Sequence, residues 1–324
     1  MNLPLEISEL KPSSWTALRH LVAVTVLSLA ALACSLQPNV GLWLLGQGLI
    51  AVLTWHWMSI VHSCGHGSFF PKPMFNSLAG TWASLFCFFP YFSWKRIHQL
   101  HHKWNGYRGL DPTSTEANPE TMKPFTRHFI NVSWRWWLPL IGLGFLVTGF
   151  YSLRRAMSYG RNASERARIA FSIVIVPLVH VPLLCAFPGE YARCFVLAFL
   201  VFGFWADPIL ISQHCDLPNA VVPEGGARPH SASEQDAYSR TLRFPRWVER
   251  YVFAEFTNHS VHHVYPMVPH YHQHLLSFRP CHEAPAWAWV VAARKRAGVD
   301  LIFSKVRPRG GDAPHAPGPL LPGP

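Results

Sequence analysis

Four stretches of the chain are apolar over lengths close to that of a bilayer, and the polar residues between them are gathered into short segments. Crossing the hydrocarbon core as a helix takes about 20 residues, so residues 21–36, 41–61, 169–187 and 195–212 are predicted to span. The first run ends in Ala31-Leu32-Ala33 before Cys34, which has the look of a signal-peptide cleavage site. A second apolar run follows almost at once, and that predicts an uncleaved helical hairpin. The last two runs predict a second hairpin, whose link carries one charge of each sign. Residues 76–92 and 134–151 are also apolar. The first is short and holds Pro90, and a span there would separate polar clusters that belong together. A span through 134–151 would carry Arg154, Arg155, Arg161, Arg166 and Arg168 to the far side, against the positive-inside tendency. Both runs therefore read as interfacial or re-entrant helices, and both termini are expected on the cytoplasmic side. Residues 217–245 read as a polar loop region. Residues 286–303 read as one amphipathic helix with Arg294-Lys295-Arg296 at the lipid headgroups. The expected organisation is a single membrane-embedded domain over 1–305 and a Pro/Gly-rich disordered tail over 306–324.

Composition supports a multi-pass membrane protein. Half of the 324 residues are hydrophobic and 14% are charged, and mean hydropathy is positive. The net charge of +11 lies mostly beside apolar runs, which favours an anionic membrane surface over nucleic acid as the partner. Seven cysteines without metal-ribbon spacing do not form a disulfide framework. Cys185 and Cys194 flank the link of the second hairpin and are near enough in sequence to pair, but such residues usually serve packing.

The chemistry lies in the histidines, of which there are 19. His62-Ser-Cys-Gly-His66 is an H-x-x-x-H; His98-Gln-Leu-His101-His102 and His259-Ser-Val-His262-His263 are both H-x-x-H-H. On a helix, offsets of three and four share a face, so each cluster can aim its rings at one point. Together they offer more nitrogen than one tetrahedral zinc can use. Imidazole suits iron as well as zinc, and the surplus suggests two metals. A zinc protease is excluded because Ser63 follows His62, where H-E-x-x-H needs a glutamate as general base.

At these residues the chain resembles the membrane fatty acid desaturase and hydroxylase superfamily, with its three histidine boxes on a four-span scaffold. HSCGHGSFF (62–70), HQLHHKWN (98–105) and NHSVHHVYPMVPHYHQHL (258–275) are similar to the boxes of delta-12-type acyl-lipid desaturases. The likeness covers roughly residues 20–280. It implies an all-α integral membrane fold: four transmembrane helices in two hairpins, interfacial helices and a cytoplasmic di-iron cap. It implies two ferrous ions, O2 as co-substrate, and the eight box histidines as ligands. A ninth ligand comes from about the place of His214 in this family, although a headgroup-level interfacial histidine is the plainer reading of that residue. Asn258 is a candidate to hold a water or an imidazole, or else a helix cap. The implied substrate is a fatty acyl chain linked to lipid, CoA or a carrier protein. The implied reductant is a separate protein such as ferredoxin or cytochrome b5, since the chain has no His-Pro-Gly-Gly signature. The expected reaction is desaturation; hydroxylation, acetylenic bond formation and oxidative decarboxylation are alternatives on the same scaffold. A carotenoid-type ring oxygenase fits the third box less well. A metal transporter or sensor would instead need ionisable residues spread along the spans. Two departures stand out: Ser63 replaces the Asp usual after the first histidine, and the chain is shorter than most delta-12 enzymes.

Of the remaining histidines, His56 and His180 fall inside predicted spans, as functional groups or as hydrogen-bonded links between helices. His270, His272 and His274 are expected to shape a solvated loop. His20, His128, His230, His282 and His315 are expected at the surface. Phe69, Phe70, Trp94, Trp104 and Phe256 are candidates to line a substrate tunnel, with ordinary packing the commoner role. Lys95, Arg96, Lys103 and Arg108 are placed to meet a headgroup, a phosphopantetheine or an acidic ferredoxin, or simply to set topology.

Overall fold

A computed structural model describes residues 9–107, 109–114, 119–220, 222 and 226–303. Among these, four helices are long and apolar enough to cross a membrane. The first hairpin is α1 (Ser14–Ser35) and α2 (Val40–His66). Ser13 caps α1 by accepting the Thr16 N–H, and Asn39 caps α2 by accepting the Leu42 N–H at 3.0 Å, satisfying donors that a helix start leaves free. Gly67, at φ 71°, ends α2 in the left-handed conformation that glycine adopts without strain. That stop lies beyond the apolar run, so the first histidine cluster rides on the last turns of the span itself.

Helices α3 (Pro73–Cys87) and α4 (Tyr91–Trp104) follow. With 15 residues, α3 is about 22 Å long at 1.5 Å per residue, short of the roughly 30 Å hydrocarbon core. Phe88 at φ 62° and Pro90 then turn the chain into α4. Residues 76–92 therefore break where the proline stands. The other doubtful run breaks as well, into α5 (Pro124–Arg135) and α6 (Leu140–Phe145), with a π turn over Leu146–Phe150. After α7 (Leu153–Ser158) comes the second hairpin, α8 (Ala163–Ala186) and α9 (Pro188–Ser212).

Polar side chains join the two hairpins: Trp43 donates to the Arg193 carbonyl, Arg193 donates to the Ser35 and Gln37 carbonyls, and Gln47 makes the central link. Gln47, buried in α2, donates to Ser35 Oγ and to the carbonyls of Arg193 and Cys194, and its Oε1 accepts the Ala198 N–H. A primary amide can satisfy up to four such partners, and an unpaired one would be costly in an apolar setting. Because Gln47 ties the start of α2 to the start of α9, the two helices run parallel and their far ends emerge on one side. In α2, 67% of the apolar window is buried, against 22% in α1 and 17% in α8. Thus α2 is the central helix, and α1 and α8 present their apolar faces outward.

The fold is mostly helical, as expected, and the cap that follows α9 adds a small strand pair. The cap contains a 3-10 turn over Glu234–Tyr238 and a parallel pair of three-residue strands, β1 (Thr241–Arg243) and β2 (Glu283–Pro285), with Leu242 opposite Ala284. Between the strands lie α10 (Arg246–Tyr251), α11 (His259–Val264) and α12 (His270–Gln273). The amphipathic helix expected over residues 286–303 is instead two helices, α13 (Ala286–Arg294) and α14 (Gly298–Phe303). A Cβ on Gly298 would meet the Trp134 Cβ at 2.7 Å, so the break lets α14 press against α5. Two of the basic trio also have partners within the protein. Arg294 lies between the rings of Trp134 and Trp137, 3.8 and 4.0 Å from their centroids, and Arg296 pairs with Asp216. All seven cysteines are free, Cys185 and Cys194 included. The tail over residues 306–324 and the site of Arg108 lie outside the described residues.

Candidate metal centre

Four separate elements bring histidines to one place. The end of α2 supplies His62 and His66; α4 supplies His98, His101 and His102. His214 follows the end of α9, and α11 supplies His259, His262 and His263. Eight of the nine form two groups, each with its ligand nitrogens within 4.8 Å of one another: His62, His66, His98 and His262 in one, His101, His214, His259 and His263 in the other. His102 stands beside the first group, its Nε2 3.1 Å from that of His98 and 2.9 Å from that of His262. Each box contributes to a group as its helical offsets require, but α4 and α11 divide their histidines between the two groups.

The hydrogen positions implied by the second group fit a cation. His101 Nδ1–H donates to Asp111 Oδ2 at 2.8 Å, His263 Nδ1–H to Gln235 Oε1 at 2.8 Å, and His214 Nδ1–H to the Tyr238 carbonyl at 2.9 Å. A neutral imidazole carries one hydrogen, so each of these rings turns a bare lone pair at Nε2 inward. The His101 and His263 Nε2 atoms lie 3.3 Å apart, while His259 Nε2 is 2.7 Å from that of His214 and 3.0 Å from that of His263. Lone pairs face lone pairs here, and one hydrogen on His259 cannot bridge them all. A metal ion would convert the repulsion into coordination, with each Nδ1–H held as ligating histidines usually hold it. The donor set therefore fits a metal.

Protonation agrees with that geometry. Burial holds His98, His102, His259, His262 and His263 well below the usual histidine range, and neighbouring histidines lower them further. His214 falls to about 3 for the same reasons, with Asp111 and the Tyr238 carbonyl opposing the shift. Burial by itself would raise the Asp111 carboxyl. The adjacent His101 and the Thr113 N–H outweigh burial and bring it below its ordinary value. Those six rings are thus neutral, and one carboxylate stands behind the site.

Asp111, Thr113, Gln235 and the Tyr238 carbonyl were not among the residues that patterns in the chain nominated. Asp111 could have been: it is an acid in an Asp-Pro-Thr turn nine residues after His102. Gln235 and Tyr238 carry no such signal. Asn258 stands at the N-cap position of α11 without a side-chain cap hydrogen bond; its amide donates to Glu255 Oε2 and its Oδ1 accepts from Arg243. His270 is buried, not in a solvated loop, with Nδ1 2.8 Å from Ser63 Oγ and Nε2 3.4 Å from His20 Nε2. His20 is accordingly half-buried, and His230 is stacked between Tyr107 and Tyr238 rather than free at the surface. Inside the spans, His180 joins the Leu85 carbonyl to the Tyr191 hydroxyl, and His56 donates to the Tyr251 carbonyl. Both are hydrogen-bonded links between elements. Trp94 stacks on His98 and Phe69 on His270, while Arg96 donates to the Tyr159 carbonyl; these side chains support the site by packing.

Comparison with known proteins agrees with this geometry. The family profile described as "Fatty acid desaturase" matches residues 38–289. The chain is 25% identical over 278 residues to a "Probable fatty acid desaturase DES1" of Sorghum bicolor, covering 80% of this chain and 68% of that one. It is 25% identical over 270 residues to an "Acyl-lipid omega-3 desaturase (cytochrome b5), endoplasmic reticulum" of Arabidopsis thaliana, covering 78% and 67%. It is also 26% identical over 249 residues to an "sn-1 oleoyl-lipid 12-desaturase" of Synechocystis sp., covering 69% and 66%.

Proposed function

The chain belongs to the fatty acid desaturase family, and from that premise we propose that it uses O2 and two bound ferrous ions to insert a double bond into a long acyl chain. The observation that carries the reading is the convergence of neutral imidazoles into two adjacent groups at the ends of membrane-length helices. His62, His66, His98, His102 and His262 would hold one ion; His101, His214, His259 and His263 would hold the other. Iron so bound supplies the reductive activation of dioxygen that removal of hydrogen from an unactivated C–H bond requires.

The chain's own contribution is placement. Asp111, Gln235 and the Tyr238 carbonyl keep the ligand tautomers in register. Phe256 stands beside His62, at 5.6 Å between ring centroids, and gives the site an apolar side on which an alkyl chain can rest. Reaction rates fall steeply when reacting groups are displaced by about 1 Å, so this packing decides which carbon is attacked. The positive-inside tendency supports an active site on the cytoplasmic side. The names of relatives, one marked cytochrome b5 and another, an "sn-2 acyl-lipid omega-3 desaturase (ferredoxin), chloroplastic" of Arabidopsis thaliana, support an acyl-lipid substrate and a separate protein reductant. Expression in a host with a ferredoxin system, with total fatty acids profiled for the parent and for His101→Ala, tests the reading. A new double bond that the variant fails to make is expected. A hydroxylated product in the parent, or an unchanged lipid profile despite bound iron, would refute it.

A further inference from the structure

Glu255 is 5% exposed and belongs to neither histidine group. It lines a small cavity whose wall also includes Ser59, His62, His259, His262 and His270. A carboxyl therefore shares a space with imidazoles from both groups. The backbone that carries it is left-handed at two successive non-glycine residues, Ala254 at φ 47° and Glu255 at φ 65°. Such conformations persist only where surrounding contacts over-determine them, and they cluster at functional sites.

Those contacts are present. The Glu255 N–H donates to the Glu249 carbonyl at 2.8 Å, and the Asn258 N–H donates to the Glu255 carbonyl at 3.0 Å. The Asn258 amide donates to Glu255 Oε2, and Arg243 in turn donates to Asn258 Oδ1 at 2.9 Å. The side chain is thus oriented by a chain of partners that begins on β1. Burying an acid without a cation paired to it is costly.

We propose that Glu255 carries protons from water to the cavity in which dioxygen is reduced. This rests on the desaturase reading above. Desaturation balances as R–CH2–CH2–R′ + O2 + 2 e− + 2 H+ giving R–CH=CH–R′ + 2 H2O. Two hydrogens come from the substrate and two electrons from the reductant, so two protons must enter from solvent. At each delivery the carboxyl O–H bond of Glu255 breaks, a new O–H bond forms on an oxygen derived from dioxygen, and the carboxylate left behind regains its proton from water. Burial, with some help from Glu249, raises the carboxyl to about 7 against the opposing pull of Asn258, Arg250 and Arg243. Ser59, His62, His259, His262, His270 and Gln273 are the other polar side chains lining the cavity.

The test compares the full chain with Glu255→Gln and Glu255→Asp. In protein stripped of iron, infrared spectroscopy across pH is expected to find a buried carboxyl that titrates near neutrality in the parent and is missing in Glu255→Gln. In iron-loaded protein given reductant, Glu255→Gln is expected to keep its iron but form alkene about 100-fold more slowly. Electrons should be lost to hydrogen peroxide, and Glu255→Asp should recover part of the rate. The proposal falls if Glu255→Gln keeps the parental rate and pH profile, if it loses iron, or if the infrared titration survives in it. A parent that makes no alkene refutes the desaturase reading and this proposal together. A working parent with an indifferent Glu255→Gln refutes this proposal alone.

Discussion

Replacing Asp111 by Asn tests how the second histidine group is held. His101 Nδ1 and Asp111 Oδ2 are 2.8 Å apart, and both side chains are 4% exposed. Asp111 Oδ1 also accepts from the N–H and hydroxyl of Thr113, each at 2.8 Å. Hydrogen bonds to a charged group contribute about 1.5–3 kcal/mol, but this one exists with or without metal. Only part of it bears on metal affinity: the strengthening of the bond when Nε2 coordinates, and the tautomer preference that keeps Nε2 bare. Replacing such an outer partner typically costs about 10- to 100-fold in affinity, or about 1.4–2.7 kcal/mol. The remainder should appear as lower stability of the metal-free chain. Purified parent and Asp111→Asn, loaded with iron, can be titrated with a chelator and the retained metal measured by elemental analysis. The variant should release one of two equivalents at 10- to 100-fold lower chelator, with the other unchanged. His128→Ala, at an exposed position on α5, is the control. Identical release curves for parent and Asp111→Asn would refute the argument that the carboxylate prepares this ligand.

Other outcomes follow from the same structure. His214→Ala leaves three imidazoles in the second group and should lose about one equivalent of iron on purification, whereas exposed His274→Ala should not; equal iron contents would remove His214 from the ligand set. The Glu255 carboxyl is raised from its ordinary 4.5 to about 7, a gap equivalent to about 3 kcal/mol as an upper figure. Its stabilising contribution is complete below pH 4.5 and is lost as pH rises through 7. Glu255→Gln should therefore gain on the parent between those values when melting in detergent is followed, and a pH-independent difference would contradict the buried acid. A Cβ on Gly80 would lie 2.3 Å from the ring of Tyr91, which is fully buried with its hydroxyl donating to the Cys64 carbonyl. Gly80→Ala should cost about 1–3 kcal/mol and lower the melting temperature, while a parental melt would mean that α3 and α4 can move apart.

Local patterns were enough for much of this protein. Apolar runs of bilayer length located all four long helices, because a spanning segment must bury its own backbone hydrogen bonds and so declares itself by composition. The histidine offsets were enough to nominate eight residues, because ligands on one helical turn share a face wherever the helix lies, and the family resemblance added His214. Pro90 was enough to argue against a span through residues 76–92, and α3 ends beside it.

What the chain could not reveal locally depends on partners distant in sequence. The parallel pair β1 and β2 joins residues some 40 positions apart, and no periodicity within either segment announces it. The division of α4 and α11 between two metal groups, the seating of Gln235 and Tyr238 behind His263 and His214, and the retreat of His270 from solvent are likewise products of packing. Hydrophobicity and spacing determined which segments enter the membrane and which carry nitrogen. Only the tertiary structure decided which nitrogen faces which, because a hydrogen bond or a shared ion depends on distances of about 3 Å that sequence separation does not encode.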